Sequence, residues 1–490
     1  MGRMTPVVVG VTFLAGCAQL AGIEETSGPA TPDLATLSVE RVSIGAAIVV
    51  APQDLSASTA QYLVPDDTAE GGLLRVDTEL VANDTWGGKV EGTPPILFDL
   101  PDKPDPKKRQ LDLGVRDAFM SFTVLEHPSP EPPPGTAMLT VTSTLPSAYA
   151  ATESLQVYVV GTWAQRGIPT ADLPVVGATA FGPVTFAYGA MSSITQRPLE
   201  KITAADAVLL LRYIGNRLTG VLEAAPFEQT GSDMVMGTMT AVAASDTLDV
   251  MVGPPAAVAA RFAPARPAVP NLSMVWQLHA APGAQYAVDT GPLLHQAAVA
   301  MADTGMINVM YGNPFVAKGW PTTLTWQASA SRSYTPAGQT LPATLSAGLQ
   351  QIVAPTAGLV LDFPAGLPEA ISIDNRPLST DGVMIAKPTA PVHVTFVSAI
   401  QNNTLYAVNL YALVPNAGGT ALVHDLRITS FARAPEVTFP PELFVAGTFY
   451  VLRAYCIQGS FDKAAEGDLR VRSLPYAHGF LDSGVFAVMP

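Results

Sequence analysis

Few residues in this 490-residue chain have the types and spacing to do chemistry: two cysteines, six histidines and scattered carboxylates. The histidines are His127, His279, His295, His393, His424 and His478. None falls in a His-Glu-x-x-His arrangement, and no two are spaced to share a helical face. The convergent imidazoles that a zinc site needs are therefore not written into one segment, and no metal site is expected. The glycine-rich cradles that bind phosphate through backbone N–H groups do not occur, so no nucleotide cofactor is expected. The nucleophile elbow Gly-x-Ser-x-Gly does not occur either. Two polar groupings remain. Ser460-Phe461-Asp462-Lys463 places a hydroxyl and an amine three residues apart, which a helical turn would bring together. It follows Gln458-Gly459 at the end of a strand-like run and reads as a hairpin loop. His478, Asp482 and Ser483 are the residue types of a hydrolytic triad, but a triad is defined by geometry, and this segment reads as a polar loop. No catalytic residue is assigned.

The cysteines differ in setting. Cys456 lies in Tyr450-Val451-Leu452-Arg453-Ala454-Tyr455-Cys456-Ile457, a strand-like run with no His or Lys beside the thiol, and is expected in the core as a small hydrophobe. Cys17 follows Arg3, the apolar run from Pro6 to Gly16, and no other charge before Glu24. That run is too short for a membrane-spanning helix, which needs about 20 residues. A positive start, a short apolar stretch and small residues before a cleavage point read as an export signal.

Leu14-Ala15-Gly16-Cys17 resembles the lipobox of bacterial lipoproteins. The resemblance covers about the first 20 residues. It implies a diacylglycerol on the Cys17 thiol, cleavage before Cys17 and acylation of the new amino group. A thiolate is the side chain suited to capturing a lipid group, and more than one acyl chain gives stable anchoring. Ala18 after the cysteine resembles the outer-membrane sorting pattern of that family. Ser460 and Lys463 fit the Ser-x-x-Lys of penicillin-binding proteins, but the companion Ser-Asp-Asn and Lys-Thr-Gly motifs are missing, which breaks that pattern.

The composition narrows the remaining classes. Charged residues make up 14% and hydrophobic residues 48%, which excludes a disordered polyelectrolyte. A formal net charge of −15 leaves no electrostatic footprint for nucleic acid. With Cys17 lipidated, Cys456 would have no partner within the chain, so a disulfide scaffold is excluded as well.

The elements that must position any site read as strands. From Leu34 onward, short apolar runs alternate with turn residues: Val42 to Val50, Gly72 to Leu80, Pro95 to Leu100, Ala137 to Ser143 and Ser154 to Gly161. Asp206 to Ile214 and Leu218 to Ala225 read as a hairpin, although Thr203 with Asp206 resembles a helix capping box. Leu293 to Met301 carries Leu294, Ala297, Ala298 and Met301 at helical spacing and is expected to be a helix. Val392 to Val397, Leu405 to Tyr411 and Thr448 to Tyr455 alternate with period two. Leu443 to Ala454 resembles the late strands of fibronectin type III domains, where a Leu, a Gly turn and a Tyr lead into the penultimate strand. No fixed-period repeat occurs.

Proline-rich stretches punctuate these runs. His127 to Gly135 and Gly253 to Pro270 read as extended spacers, with a softer boundary at Ala354 to Gly358. Pro101 to Arg109 reads as a long loop.

The expected organisation is a lipoprotein signal peptide at 1–16, a flexible tether at 17–33, and β domains at 34–126, 136–252, 271–353 and 359–490. The third is β-rich with a short helix. The fold class is mainly β, with several antiparallel immunoglobulin- or fibronectin III-like sandwiches in tandem and few short helices. Trp86, Trp163, Trp276, Trp320 and Trp326 would either stack sugar rings at the surface or fill cores. Asp66-Asp67 and Asp99/Asp102/Asp105 are solvated acidic loops, with calcium as the alternative. The expectation for function is a lipid-anchored protein of the cell envelope, attached to the outer membrane through Cys17. Its role is structural or binding, with a protein or glycan partner. The alternative is an envelope hydrolase acting on glycan or peptidoglycan through a dispersed site.

Overall fold

Alternation of apolar and polar residues along short runs produces one dominant element, the half-buried strand. The strand Met138–Thr144 buries every second residue, as do Ser273–Ala280 and Val392–Ser398. A computed structural model describes residues 34–490 apart from 67, 101–106, 196, 264–271, 301–304, 399, 401–403, 471–472 and 490. The expected signal peptide at 1–16, the expected tether at 17–33 with Cys17, and Asp67, Asp102 and Asp105 lie outside the described residues.

The fold is mainly β. A 20-stranded sheet runs through the molecule, and four smaller sheets pack on it, each across its own layer of apolar side chains. The first small sheet is built on Ala35–Ile44 and Asp117–Val124. Its Leu37, Val39 and Met120 meet Tyr62, Phe98 and Leu111. The second contains Met138–Thr144, Ala180–Ala187 and Ser232–Thr238. Its Leu139, Val141 and Phe181 meet Val157, Val159 and Leu210. The third contains Asp246–Val252, Gly305–Tyr311 and Leu359–Leu361, and faces Trp276, Leu278 and Trp326. The fourth contains Pro368–Ile373, Val392–Ser398 and Glu436–Phe439, and faces Val408, Leu410, Leu452 and Cys456.

These cores follow the chain in order but exchange pieces. The second draws only on residues between 137 and 239. The first also takes Leu405, Ala407, Ile457 and Leu469, and the third takes Val42 and Ile44. Lys107–Asp112 pairs in parallel with Leu422–Ala432, so a strand before residue 126 extends the sheet of the last segment. The turn at 45–47 is clamped from a distance: Trp163 Nε1–H donates to the Ile44 carbonyl at 2.7 Å.

The start of the strand Phe449–Gly459 is tied to the chain before it. The Tyr450 hydroxyl donates to the Leu443 carbonyl at 3.0 Å and accepts from the Val445 N–H at 2.7 Å. Gly447, at φ 78°, turns the chain between them. This is how a tyrosine corner ties a sandwich strand to the backbone upstream of it.

Several expectations are corrected. Leu293–Ala298 is a strand, not a helix: it pairs antiparallel with Ser273–Ala280, and sheet hydrogen bonds override its helical spacing. The stretch from Gly253 is no simple spacer, since Pro255–Arg261 forms a short α-helix with proline at its first turn and alanines behind it. Val42 to Val50 is two strands, Ala35–Ile44 and Ile48–Pro52, folded back on each other. The expected loop after Pro101 ends early, because Lys107 to Arg109 already belong to a strand. The expected loop at 476–484 is largely the strand Tyr476–Asp482.

Candidate functional site

The strand Asp117–Val124 leaves the first sheet and delivers Glu126 and His127 to the start of the proline-rich stretch. Five of the next seven residues are prolines, which have no N–H to give a sheet, so the chain crosses open and extended. Side chains rather than strand pairing hold it in place. The His127 N–H donates to Glu200 Oε2 at 3.0 Å, His127 Nδ1 lies 3.0 Å from the same oxygen, and Nε2 lies 2.7 Å from Asp206 Oδ1. The Glu131 carbonyl accepts the Lys201 N–H at 2.8 Å. Glu126 receives Arg41 on one carboxylate oxygen and Arg197 on the other.

Local sequence sets each partner. Asp206 Oδ2 accepts the Thr203 N–H at 2.7 Å, the bond that a capping box would make. Here it closes a turn before the strand Ala207–Ile214, and that strand pairs with Arg217–Glu223 as the expected hairpin. Gly161 passes directly over Asp206. A Cβ at that position would sit 1.7 Å from Asp206 Oδ1, so no side chain fits beside the carboxylate that holds His127.

Of these residues Arg41, Glu126, Glu131, Arg197 and Glu200 line a cleft of about 670 Å³, whose apolar walls are Phe122, Leu199, Pro128, Pro130, Pro132 and Pro198. Such a volume lies within the range of small-molecule and side-chain sites. Glu200 joins the cleft to the His127 clasp beside it, whose charges answer one another. Burial alone would push the His127 pKa down, but the hydrogen bonds and charges of Asp206 and Glu200 outweigh it and raise it to about 10. Imidazolium at neutral pH, with both ring nitrogens donating, His127 has no lone pair for a general base. The two carboxylates lie on opposite ring nitrogens, so one ion could not be shared among the three residues. Among the described residues no group of three or more His, Cys, Asp or Glu is arranged to hold a metal.

The sequence-level candidates fall elsewhere. Ser460, at φ 67°, is buried and donates its hydroxyl to the Ser473 carbonyl, while Lys463 is exposed at the next turn. Without a helix, the amine is not brought to the hydroxyl. His478 and Asp482 are four residues apart on one strand, about 13 Å at the rise of an extended chain. Ser483 Oγ accepts the Leu452 N–H at 3.1 Å and donates to the Gly484 carbonyl at 2.8 Å. Asp482 grips Arg453 at 2.6 and 2.9 Å. These groups do not form a triad.

Cys456 is fully buried, and burial pushes its thiol up to about 11, consistent with an inert core residue. All five tryptophans are buried, none more than 3% exposed, which removes the surface-stacking option. Asp66 Oδ1 accepts the Thr68 N–H at 2.8 Å in a local turn.

The clasp beside the cleft escaped sequence reasoning because His127 meets Glu200 and Asp206 across 73 and 79 positions. The available signal was charge set against proline in a chain poor in charge: Glu126-His127-Pro128 and Arg197-Pro198. No protein-family model matches the chain, and comparison with curated proteins found no significant similarity.

Proposed function

We propose that the chain is a lipid-anchored protein of the bacterial cell envelope, attached to the outer membrane through Cys17 and working by binding rather than catalysis. The observation that carries this reading is the ordered run of Arg3, the short apolar segment to Gly16, and Cys17. The cleft supports the binding half. Arg41 and Arg197 are both spent on Glu126, and much of its wall is proline with Phe122 and Leu199. Proline walls offer no N–H donors, which suits an apolar segment of a protein partner more than a reacting polar group.

The test is metabolic labelling with radioactive palmitate in a bacterial host, followed by fractionation of wild type and Cys17→Ala. Wild type is expected to carry label and to sediment with membranes, and Cys17→Ala to carry no label. Wild type free of label, or Cys17→Ala labelled equally, would overturn the reading.

A further inference from the structure

A second concavity of about 370 Å³ lies where Glu153–Val160 and Ala164–Gly167 approach Ser273–Ala280 and Leu293–Ala298. Four glutamines line it, and they are organised in two like pairs. Gln156 Nε2 donates to Gln165 Oε1 at 2.9 Å, and Gln277 Nε2 donates to Gln296 Oε1 at 3.1 Å. Strand register explains both. Tyr158 pairs with Gln165 and Gln277 with Gln296, so period-two alternation sends these amides to one side.

Each pair consumes one amide donor and one carbonyl. The carbonyl of Gln156 and the NH2 of Gln165 have no further partner among the described residues, and the same holds for Gln277 and Gln296. Reversing either amide leaves the same balance, one donor group and one acceptor per pair. Asp289 adds an acceptor. Its Oδ2 receives Thr325 Oγ1 at 2.6 Å and Gln350 Nε2 at 3.4 Å, leaving Oδ1 open.

The lining holds no Lys or Arg. His279 is kept neutral by burial, which outweighs the pull of Asp289 and the Gly291 carbonyl. An anion would therefore face Asp289 with no counter-charge. A donor next to an acceptor, presented twice, matches two neighbouring hydroxyls, each of which both donates and accepts. Ile194 and Leu293 supply apolar surface for C–H groups.

We propose that this pocket binds a neutral sugar residue through pairs of adjacent hydroxyls. The proposal is separate from the lipid anchor and from the proline-walled cleft, and it uses no tryptophan.

The test is titration calorimetry on the purified full-length protein in a detergent without a sugar headgroup. The probes are glucose, galactose, mannose and N-acetylglucosamine, with glucuronate and glucosamine as charged comparisons. At least one neutral sugar is expected to bind saturably and more tightly than both charged sugars. Gln165→Leu and Gln296→Leu are each expected to weaken that binding at least tenfold, with an unchanged thermal midpoint. No saturable binding of any neutral sugar by wild type, tighter binding of glucuronate or glucosamine, or equal binding by both folded variants would overturn it. The wild-type titrations decide the matter even where a variant fails to fold.

Discussion

The Arg212 guanidinium is only 1% exposed, yet every side of it is answered. Its Nε and Nη2 meet Glu153 at 2.9 and 2.6 Å, and its remaining donors reach the Ser147 and Ala148 carbonyls at 3.1 Å. Glu153 in turn accepts the Ala150 N–H at 3.1 Å. A buried pair so completed is stable as a unit and costly to break by halves, because the survivor is left charged and dry. Arg212→Met is expected to lower unfolding free energy by about 3–5 kcal/mol, measured by urea denaturation. The double substitution Arg212→Met/Glu153→Leu should recover much of that loss. A single variant as stable as wild type would contradict this account of the pair.

At the level of elements, the clasp of His127 by Glu200 and Asp206 substitutes for the strand pairing that prolines deny to residues 128–134. Its pH dependence has a definite sign. The His127 pKa rises on folding from an ordinary value near 6.5 to about 10. Its contribution is thus fully present below about pH 6.5 and is lost as pH climbs towards 10. His127→Gln should be less stable than wild type at pH 6, and the gap should narrow at pH 8 and nearly close at pH 10, read from urea midpoints. A gap that widens with pH would contradict the clasp.

What the sequence disclosed about elements follows from range. The hairpin from 207 to 223 is marked by Gly215-Asn216 between two apolar runs, and the strands around Val392, Leu405 and Phe449 by local alternation; all of them formed. Leu293–Ala298 is encoded by its neighbour Ser273–Ala280, and no window over Leu294, Ala297 and Ala298 contains that information. The glutamine pairs are half legible. Gln156 and Gln165 are nine positions apart across a tight strand pair, whereas the meeting of both pairs in one pocket depends on how distant strands pack.

At the scale of the whole molecule, the described residues form several β layers that share cores. The sandwiches are interlocked rather than merely strung together. Leu405, Ala407 and Leu469 complete the core that Leu37 and Met120 begin, and Val42 and Ile44 enter the core around Trp276. Such exchange over hundreds of residues is invisible to composition and to proline punctuation alike. The chain's net charge of −15 would disfavour contact of its folded part with an anionic lipid surface, so attachment would fall to Cys17. Intact-mass and peptide mass spectrometry of the protein isolated from membranes tests that attachment most directly. The expected result is a mature chain beginning at Cys17 with an acyl chain on its amino group and a diacylglycerol on its sulfur. A peptide running unmodified from Gly16 through Cys17 would contradict it.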